Sequence, residues 1–342
     1  MTNNKNIYPA YNLDFEICRV TAPLNAIAAW QLESFLLKIF EYGDYSFRAA
    51  LRGEYSQTLS CRFFLAKRNG KIIGAAGCLY AHENPVVTIL GPIAVAGQYR
   101  RNGVAIRLLR LLINHLKLSG CAAVYLAVTS ENPAINLYKK LGFEKYKGIV
   151  MRLLLCKNQS FEEEYFRKRL PINIMKIEWG NWPAIMALAT FPATTYSFNY
   201  QQNIFSGKYV EPTRFLSVFP EMMKGFAKYG GLGNALVTGS LKTIVGITHI
   251  TRLPGPVLRH IAELDFYTHD NFVDHAEFLV RSTLKNASSL SINKITCYCL
   301  ACDHLKRNII ESLRASQIAV LPSHARINEK DEDVLIYQFG VL

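Results

Sequence analysis

The chain repeats its own pattern. "KIIGAAG" (71–77) lines up with "TIVGITH" (243–249) at a shift of 172, which sets Gly246 under Gly74. At a shift of 171, "IAVAGQYRRNGVAIRLLRLL" (93–112) lies over "LDFYTHDNFVDHAEFLVRST" (264–283), and "AVYLAV" (123–128) lies over "KITCYC" (294–299). An ordered series across strand, helix and strand at a near-constant offset marks a duplicated architecture. A length of 342 residues gives each copy an ordinary domain size. The expected division is residues 1–156 and 157–342, with the polar stretch "CKNQSFEEEYFRKRLP" (156–171) as the linker.

Within the first copy, hydrophobic periodicity alternates between strand and helix. "FEICRV" (15–20) reads as a strand, "LNAIAAWQLESFLLKIF" (24–40) as a helix, and "SCRFFLAK" with "KIIGAAGCLYA" as a hairpin across Arg68 to Gly70. "VVTILGPIAV" (86–95) is a long strand, 103–120 a helix ended by Gly120, "AAVYLAV" (122–128) a buried strand, and 132–142 a helix ended by Gly142. "FEKY" and "GIVMRLLL" close the set. The pattern is that of an α/β chain.

Hydrophobic residues make up 50% of the sequence and charged residues 19%, which excludes a disordered chain. No run of about 18 apolar residues escapes a charged or polar break, and "MTNNKNIYPA" lacks the apolar core of a signal peptide. A soluble cytoplasmic protein with no membrane partner is therefore expected. Of eight cysteines, Cys18, Cys61, Cys78, Cys121 and Cys156 fall in apolar or alternating segments, as buried reduced thiols do. The formal charge is +13, and residues 1–150 hold 18 Lys and Arg against nine Asp and Glu. That excess points to an anionic ligand in the first copy, whereas the absence of a basic stripe interleaved with aromatics argues against nucleic acid.

The anion has a place to sit. In "QYRRNGVA" (98–105), Arg100, Arg101 and Asn102 precede a helix, Gly103 removes the Cβ that would block a ligand, and Ala105 keeps the next position small. The first amides of a helix lack internal partners and carry the positive end of its dipole, so a phosphate fits there.

With its strand before and amphipathic helix after, R-x-x-G-x-A at Arg100, Gly103 and Ala105 resembles the core signature of the GNAT acyltransferase superfamily. About thirty residues later, "SENPAINLYKKLGF" is similar to the second cofactor segment of that family, with Asn132, Tyr138 and the closing L-G-F. The resemblance implies two tandem GNAT-like domains, each a central mixed, mostly antiparallel sheet flanked by helices. It also implies acetyl-CoA as cosubstrate, no metal, and an amine-bearing acceptor that attacks directly in a ternary complex. The amides of Arg100, Arg101, Asn102, Gly103, Val104 and Ala105 would hold the pyrophosphate, and the strand at Ile93, Ala94 and Val95 would pair with the pantetheine arm. Asn132 would hydrogen-bond that arm, Tyr138 would act as general acid toward the departing thiolate, and an amide near Val95 would polarise the thioester carbonyl. A neutral phenol with an ordinary pKa near ~10 suits the acid role.

Members of the family often place a glutamate on the fourth strand as base, and "VVTILGPIAV" has none. Glu83 in the preceding turn is the candidate base, with His82, Glu41 and Asp44 as the other nearby groups. Structural zinc takes C-x₂₋₄-C spacing plus a second, distant ligand pair; in "CYCLACDH" (297–304) Cys297 and Cys299 alternate on one strand face, as buried thiols do, so no metal is expected. In the second copy the offset of 171 puts Asn271 and Phe272 at the arginines, Asp274 at the glycine and Ile309 or Ile310 at the tyrosine. That copy is expected to keep the fold without binding CoA and to shape the acceptor cleft or a homodimer surface. Competing readings are a non-catalytic CoA-binding sensor, a nucleic-acid-associated protein, and an acyltransferase using another acyl-CoA.

Overall fold

The computed structural model describes residues 13–40, 45–148, 150–158, 160–190, 198–199, 203–204, 218–327 and 329–340. The first half runs β1 (Glu16–Thr21), α1 (Ala26–Phe40), α2 (Tyr45–Leu51), β2 (Leu59–Arg68), β3 (Lys71–Ala81), β4 (Val87–Val95), α3 (Val104–Leu118), β5 (Ala123–Ala127), α4 (Ile135–Lys140), β6 (Glu144–Lys147) and β7 (Val150–Leu154). A short α5 (Phe161–Tyr165) follows. The second half runs β8 (Ile172–Lys176), α6 (Trp182–Thr190), β9 (Phe198–Asn199), β10 (Asn203–Ile204), α7 (Val218–Tyr229), β11 (Gly231–Thr238), β12 (Thr243–Arg252), β13 (Ile261–Thr268), α8 (Ala276–Ala287), β14 (Lys294–Leu300), α9 (His304–Ser312), β15 (Ser316–Ile327) and β16 (Lys330–Phe339).

The duplication is visible in the strand order. The first seven-stranded sheet is β1-β2-β3-β4-β5-β7-β6, and the second, read from its own first strand, is β8-β11-β12-β13-β14-β16-β15. Each is antiparallel except at one contact, β4 with β5 and β13 with β14. These parallel pairs join only at their starts, Val87 to Ile89 against Ala123 to Tyr125 and Ile261 to Glu263 against Lys294 to Thr296, and then part.

In the first sheet a bulge marks where β4 leaves β5. The β3–β4 register slips between Ala76/Ile93 and Cys78/Leu90, and Gly91 inside the slip has φ +140°, which a residue with a Cβ rarely adopts. A bulge bends its strand and ends pairing, so β4 turns away from β5 there. Helix α3 covers one face through Val104, Leu108, Leu109, Leu112 and Leu116, a stripe at helical spacing.

The other face is shared. Helix α6 is buried over Trp182, Pro183 and Ile185 to Thr190, and it touches β3 and β4 of the first sheet as well as β12 of the second. A helix apolar all round belongs in a core, and one hydrophobic cluster accordingly runs from Leu32 and Phe63 through Trp182 and Met186 to Val245 and Tyr267. The two halves are also tied by Tyr55 stacked on Trp179 at 3.6 Å and by the amide of Gly180 donating to Thr58 Oγ1 at 2.9 Å.

The expected linker corrects one reading. Its charged residues mask Phe161, Tyr165 and Phe166, which are buried in the shared cluster, so 156–171 is a packed strap rather than a solvated connector.

Candidate active site

The end of β4 enters a turn whose first amides are bonded and whose later ones are not. Ala96 donates to Ile73 O, Tyr99 to Ala96 O and Arg100 to Gly97 O. Among the described residues, the amides from Arg101 to Ile106 then find no acceptor, and only at Arg107 does the α3 ladder begin, on Gly103 O. Arg101 (φ +62°) and Gly103 (φ +74°) both take left-handed conformations, which coil this run of donors around the N-terminus of a 15-residue helix. Such a run is an anion cradle.

Around it, Arg100 and Arg101 are exposed, with Arg100 Nε donating to Val95 O at 3.2 Å and Asn102 Nδ2 to Arg100 O at 3.1 Å. Ile93 and Val95 pack on the α3 side in the cluster that contains Val104 and Tyr138, whereas Ala94 alternates to the α6 side. Ala105 is half-buried behind Val104 at the start of α3.

Tyr138 lies on the inner face of α4, packed edge-on to Phe143 with ring centres 5.9 Å apart. Burial pushes its phenol up to about 12. The side chain is 6% exposed, and among the described residues its hydroxyl finds no hydrogen-bond partner and is not fully enclosed, which leaves it a neutral donor. Asn132 is exposed in the turn opening α4, its Oδ1 accepting from the Ala134 amide at 3.0 Å.

Glu83 is not brought to this place. It stands before the first residue of β4, opposite the end that carries the turn, with an exposed carboxylate 3.6 Å from Lys242. His82 shares that turn and is exposed, and Glu41 and Asp44 lie outside the described residues. Glu83 is near the turn in sequence only, because the nine residues of β4 carry it to the opposite end of the strand.

The structure assembles a second group that sequence reading missed. Tyr125, the last β5 residue paired with β4, faces Arg152 across β7. Glu162 Oε1 from α5 accepts both the Tyr125 hydroxyl at 3.2 Å and Arg152 Nη1 at 2.5 Å. Burial, then the Glu162 charge, raises the Tyr125 phenol well above its usual range. Only the strand parity of Tyr125 could have hinted at this, because its partners come from β7 and the strap.

Among the described residues, the second half does not repeat the cradle. The His269 amide donates to Val245 O and the Phe272 amide to His269 O, matching Ala96 and Tyr99. Four residues separate Tyr99 from Val104, but three separate Phe272 from Ala276. The shift of 171 therefore misplaces this turn: one residue is deleted, His275 rather than Asp274 precedes the helix, and Val273 and Asp274 follow the aromatic. The Asn271 amide donates to His269 Nδ1 at 3.1 Å and the Ala276 amide to Val273 O. Lys168 Nζ lies 2.6 Å from Asp274 Oδ2. Matching bonds from Phe143 to Tyr138 O and from Ala315 to Ile310 O put Ile310 at the tyrosine position.

The second splay is also filled. Two residues past the last paired position, where β4 has Gly91, β13 has Asp265, and Lys306 of α9 donates to it. Both are sealed, at 0% and 1% exposure. Cys297 and Cys299 on β14 are buried beside them, with burial raising both thiols, while Cys302 and His304 are exposed.

Comparison with known proteins agrees with the first half. Residues 24–143 match the model of the acetyltransferase (GNAT) family. The chain is 35% identical over 105 residues to the N-alpha-acetyltransferase of Sulfurisphaera tokodaii, covering 28% of this chain and 63% of that protein. It is 27% identical over 114 residues to the probable N-acetyltransferase camello of Xenopus tropicalis, covering 33% of this chain and 52% of that one. The chain thus spans about half to two thirds of the length of these relatives. Among solved structures, the ribosomal-protein-alanine N-acetyltransferase of Brucella melitensis superposes with a TM-score of 0.39 at 16% identity, covering 48% of this chain and 98% of its own. A Salmonella typhimurium protein solved with its cofactor acetyl-CoA gives 0.41 at 12% identity, covering 50% of this chain and 95% of its own.

Proposed function

We propose that this protein is an N-acetyltransferase that moves an acetyl group from acetyl-CoA to an amine: residues 24–143 match the GNAT acetyltransferase family model, and the second half repeats the architecture of the first. The observation that carries this reading is the run of unpartnered amides from Arg101 to Ile106, set where β4 parts from β5. A diphosphate bridging that run would gain charge-assisted hydrogen bonds from six consecutive donors.

Acetyl-CoA supplies the activated thioester. Gly103 lets the chain close around its phosphates, the exposed Arg100 and Arg101 add positive charge, and Ile93 and Val95 lie on β4 beyond its pairing with β5, where the extended arm would run. Asn132 keeps its Nδ2 for the same arm. Tyr138 stays protonated throughout the working range and donates its hydrogen bond where the sulfur leaves. Its raised pKa makes it a stabiliser of developing thiolate charge more than a ready proton source.

Transfer in one step, without an acyl-enzyme, fits the cysteines. Burial holds Cys78 and Cys121 up to about 12, and the thiolate, not the thiol, is the nucleophile. The second half takes no CoA in this reading, because its turn amides are spent internally and the buried pair of Lys306 on α9 with Asp265 on β13 stands at its splay.

The test is thiol release from acetyl-CoA in the presence of a panel of primary amines. Saturable release that Gly103→Glu abolishes is expected. Binding of acetyl-CoA with no release on any amine would replace the enzyme by a CoA-binding sensor.

A further inference from the structure

Glu162 belongs to neither sheet. It projects from the strap that joins the two halves into the place where β4 and β5 part, on the face opposite α3. One of its oxygens holds both Tyr125 and Arg152, and the Arg152 guanidinium lies 4.7 Å from the centre of the Tyr146 ring. The cluster is rich in donors: Arg152 Nε and the Tyr165 hydroxyl are enclosed there without partners. A single carboxylate thus pairs with Arg152 and holds the Tyr125 hydroxyl at the fork.

The same strap is anchored at its other end on the second half. Phe166 stacks on His269 with ring centres 4.8 Å apart, its carbonyl accepts from Asn271 Nδ2 at 3.4 Å, and Lys168 pairs with Asp274. His269, Asn271 and Asp274 belong to the turn that corresponds to the anion cradle of the first half.

We propose that Glu162 is a positioning residue for acetyl transfer in the first half, and that the altered turn of the second half serves as the anchor that holds it there. The inference rests on the transferase reading above. Tyr125 and Arg152 border the fork on the side away from α3, and α6 of the second half packs on β4 beside them. An amine reaching the thioester from that side meets a fork whose charge is set by Glu162. Neutralising Glu162 leaves the Arg152 charge uncompensated, which disfavours a protonated or dicationic amine without disturbing the anion cradle on the other face.

The experiment has two arms on the full-length protein. In the first, Glu162→Gln and Tyr125→Phe are compared with wild type for thiol release from acetyl-CoA with glycinamide and with 1,4-diaminobutane, alongside calorimetric binding of acetyl-CoA. The expected result for Glu162→Gln is a fall of about tenfold in kcat/KM, larger for the diamine, with acetyl-CoA affinity within about twofold of wild type. An unchanged ratio between the two amines, or a parallel loss of acetyl-CoA affinity, overturns the proposal. In the second arm, amide hydrogen exchange is followed in Phe166→Leu, which loosens the anchor while keeping an apolar side chain. Faster exchange in β5 and β7 with the Arg101 to Ile106 segment unchanged supports the coupling; change confined to residues 266–280 overturns it. A wild type that binds acetyl-CoA but turns over neither amine counts against the transferase reading, and the exchange arm then decides the strap contact by itself.

Discussion

Gly103, at φ +74°, sits where the chain must turn left-handed and leave its amides open. An L side chain there costs about 1–2 kcal/mol of backbone strain, so Gly103→Ala lowers stability by that order in urea denaturation and weakens acetyl-CoA binding further as the cradle opens. Tyr138 gives a separable prediction. Tyr138→Phe keeps the ring packed on Phe143 and removes the outward hydroxyl, so kcat falls about 10²-fold while acetyl-CoA affinity holds. Burial pushes its pKa in the folded protein up to about 12, above the ordinary phenol value of 10.0. The neutral phenol is therefore the favoured form, its stabilising contribution is complete below pH 10, and that contribution is lost as pH rises through 12. A pH–rate profile then shows no basic limb from Tyr138 below that range; a limb near pH 8 that vanishes in Tyr138→Phe contradicts this.

At the level of elements, the two splays solve the same problem differently. β4 turns away from β5 at a glycine bulge, while in the second half Asp265 of β13, just past the last residue paired with β14, is met by the buried Lys306 of α9. Removing one partner strands a charge, so Lys306→Met or Asp265→Leu alone costs about 3–5 kcal/mol, and the double substitution recovers most of it. Chemical denaturation of the three variants measures this cycle. The strands and long helices of the first half were legible because each shows one clean period, and the repeat was legible because β3 and β12 share a glycine. Three things were not. The deletion between Phe272 and Ala276 hides inside an otherwise constant offset. The ion pair joins residues 41 apart, on a strand and a helix whose local patterns say nothing of each other. The strap reads as a linker because its Glu and Arg residues outnumber the three aromatics that bury it. In the site, the turn is legible from glycine and arginine at fixed spacing, whereas nearness in sequence does not bring Glu83 to it and Glu162 is placed only by tertiary contacts.

For the whole molecule, α6 decides how independent the halves are. Its sequence gave no amphipathic signal because both of its sides are covered, one by each sheet. A fragment ending at residue 156 would expose the face that α6 covers, along with the strap's partners Tyr125 and Arg152. That fragment is expected to be insoluble or loosely folded, and the full chain to unfold in one urea transition; two well-separated transitions would contradict the shared core. The excess positive charge of the first half is consistent with a polyanionic cosubstrate bound on that half alone. The central claim is one cofactor site in a duplicated fold, and calorimetric titration with acetyl-CoA tests it most directly. One site per chain, abolished by Gly103→Glu and untouched by Asp274→Ala, is predicted; two sites, or a site that survives Gly103→Glu, would contradict it.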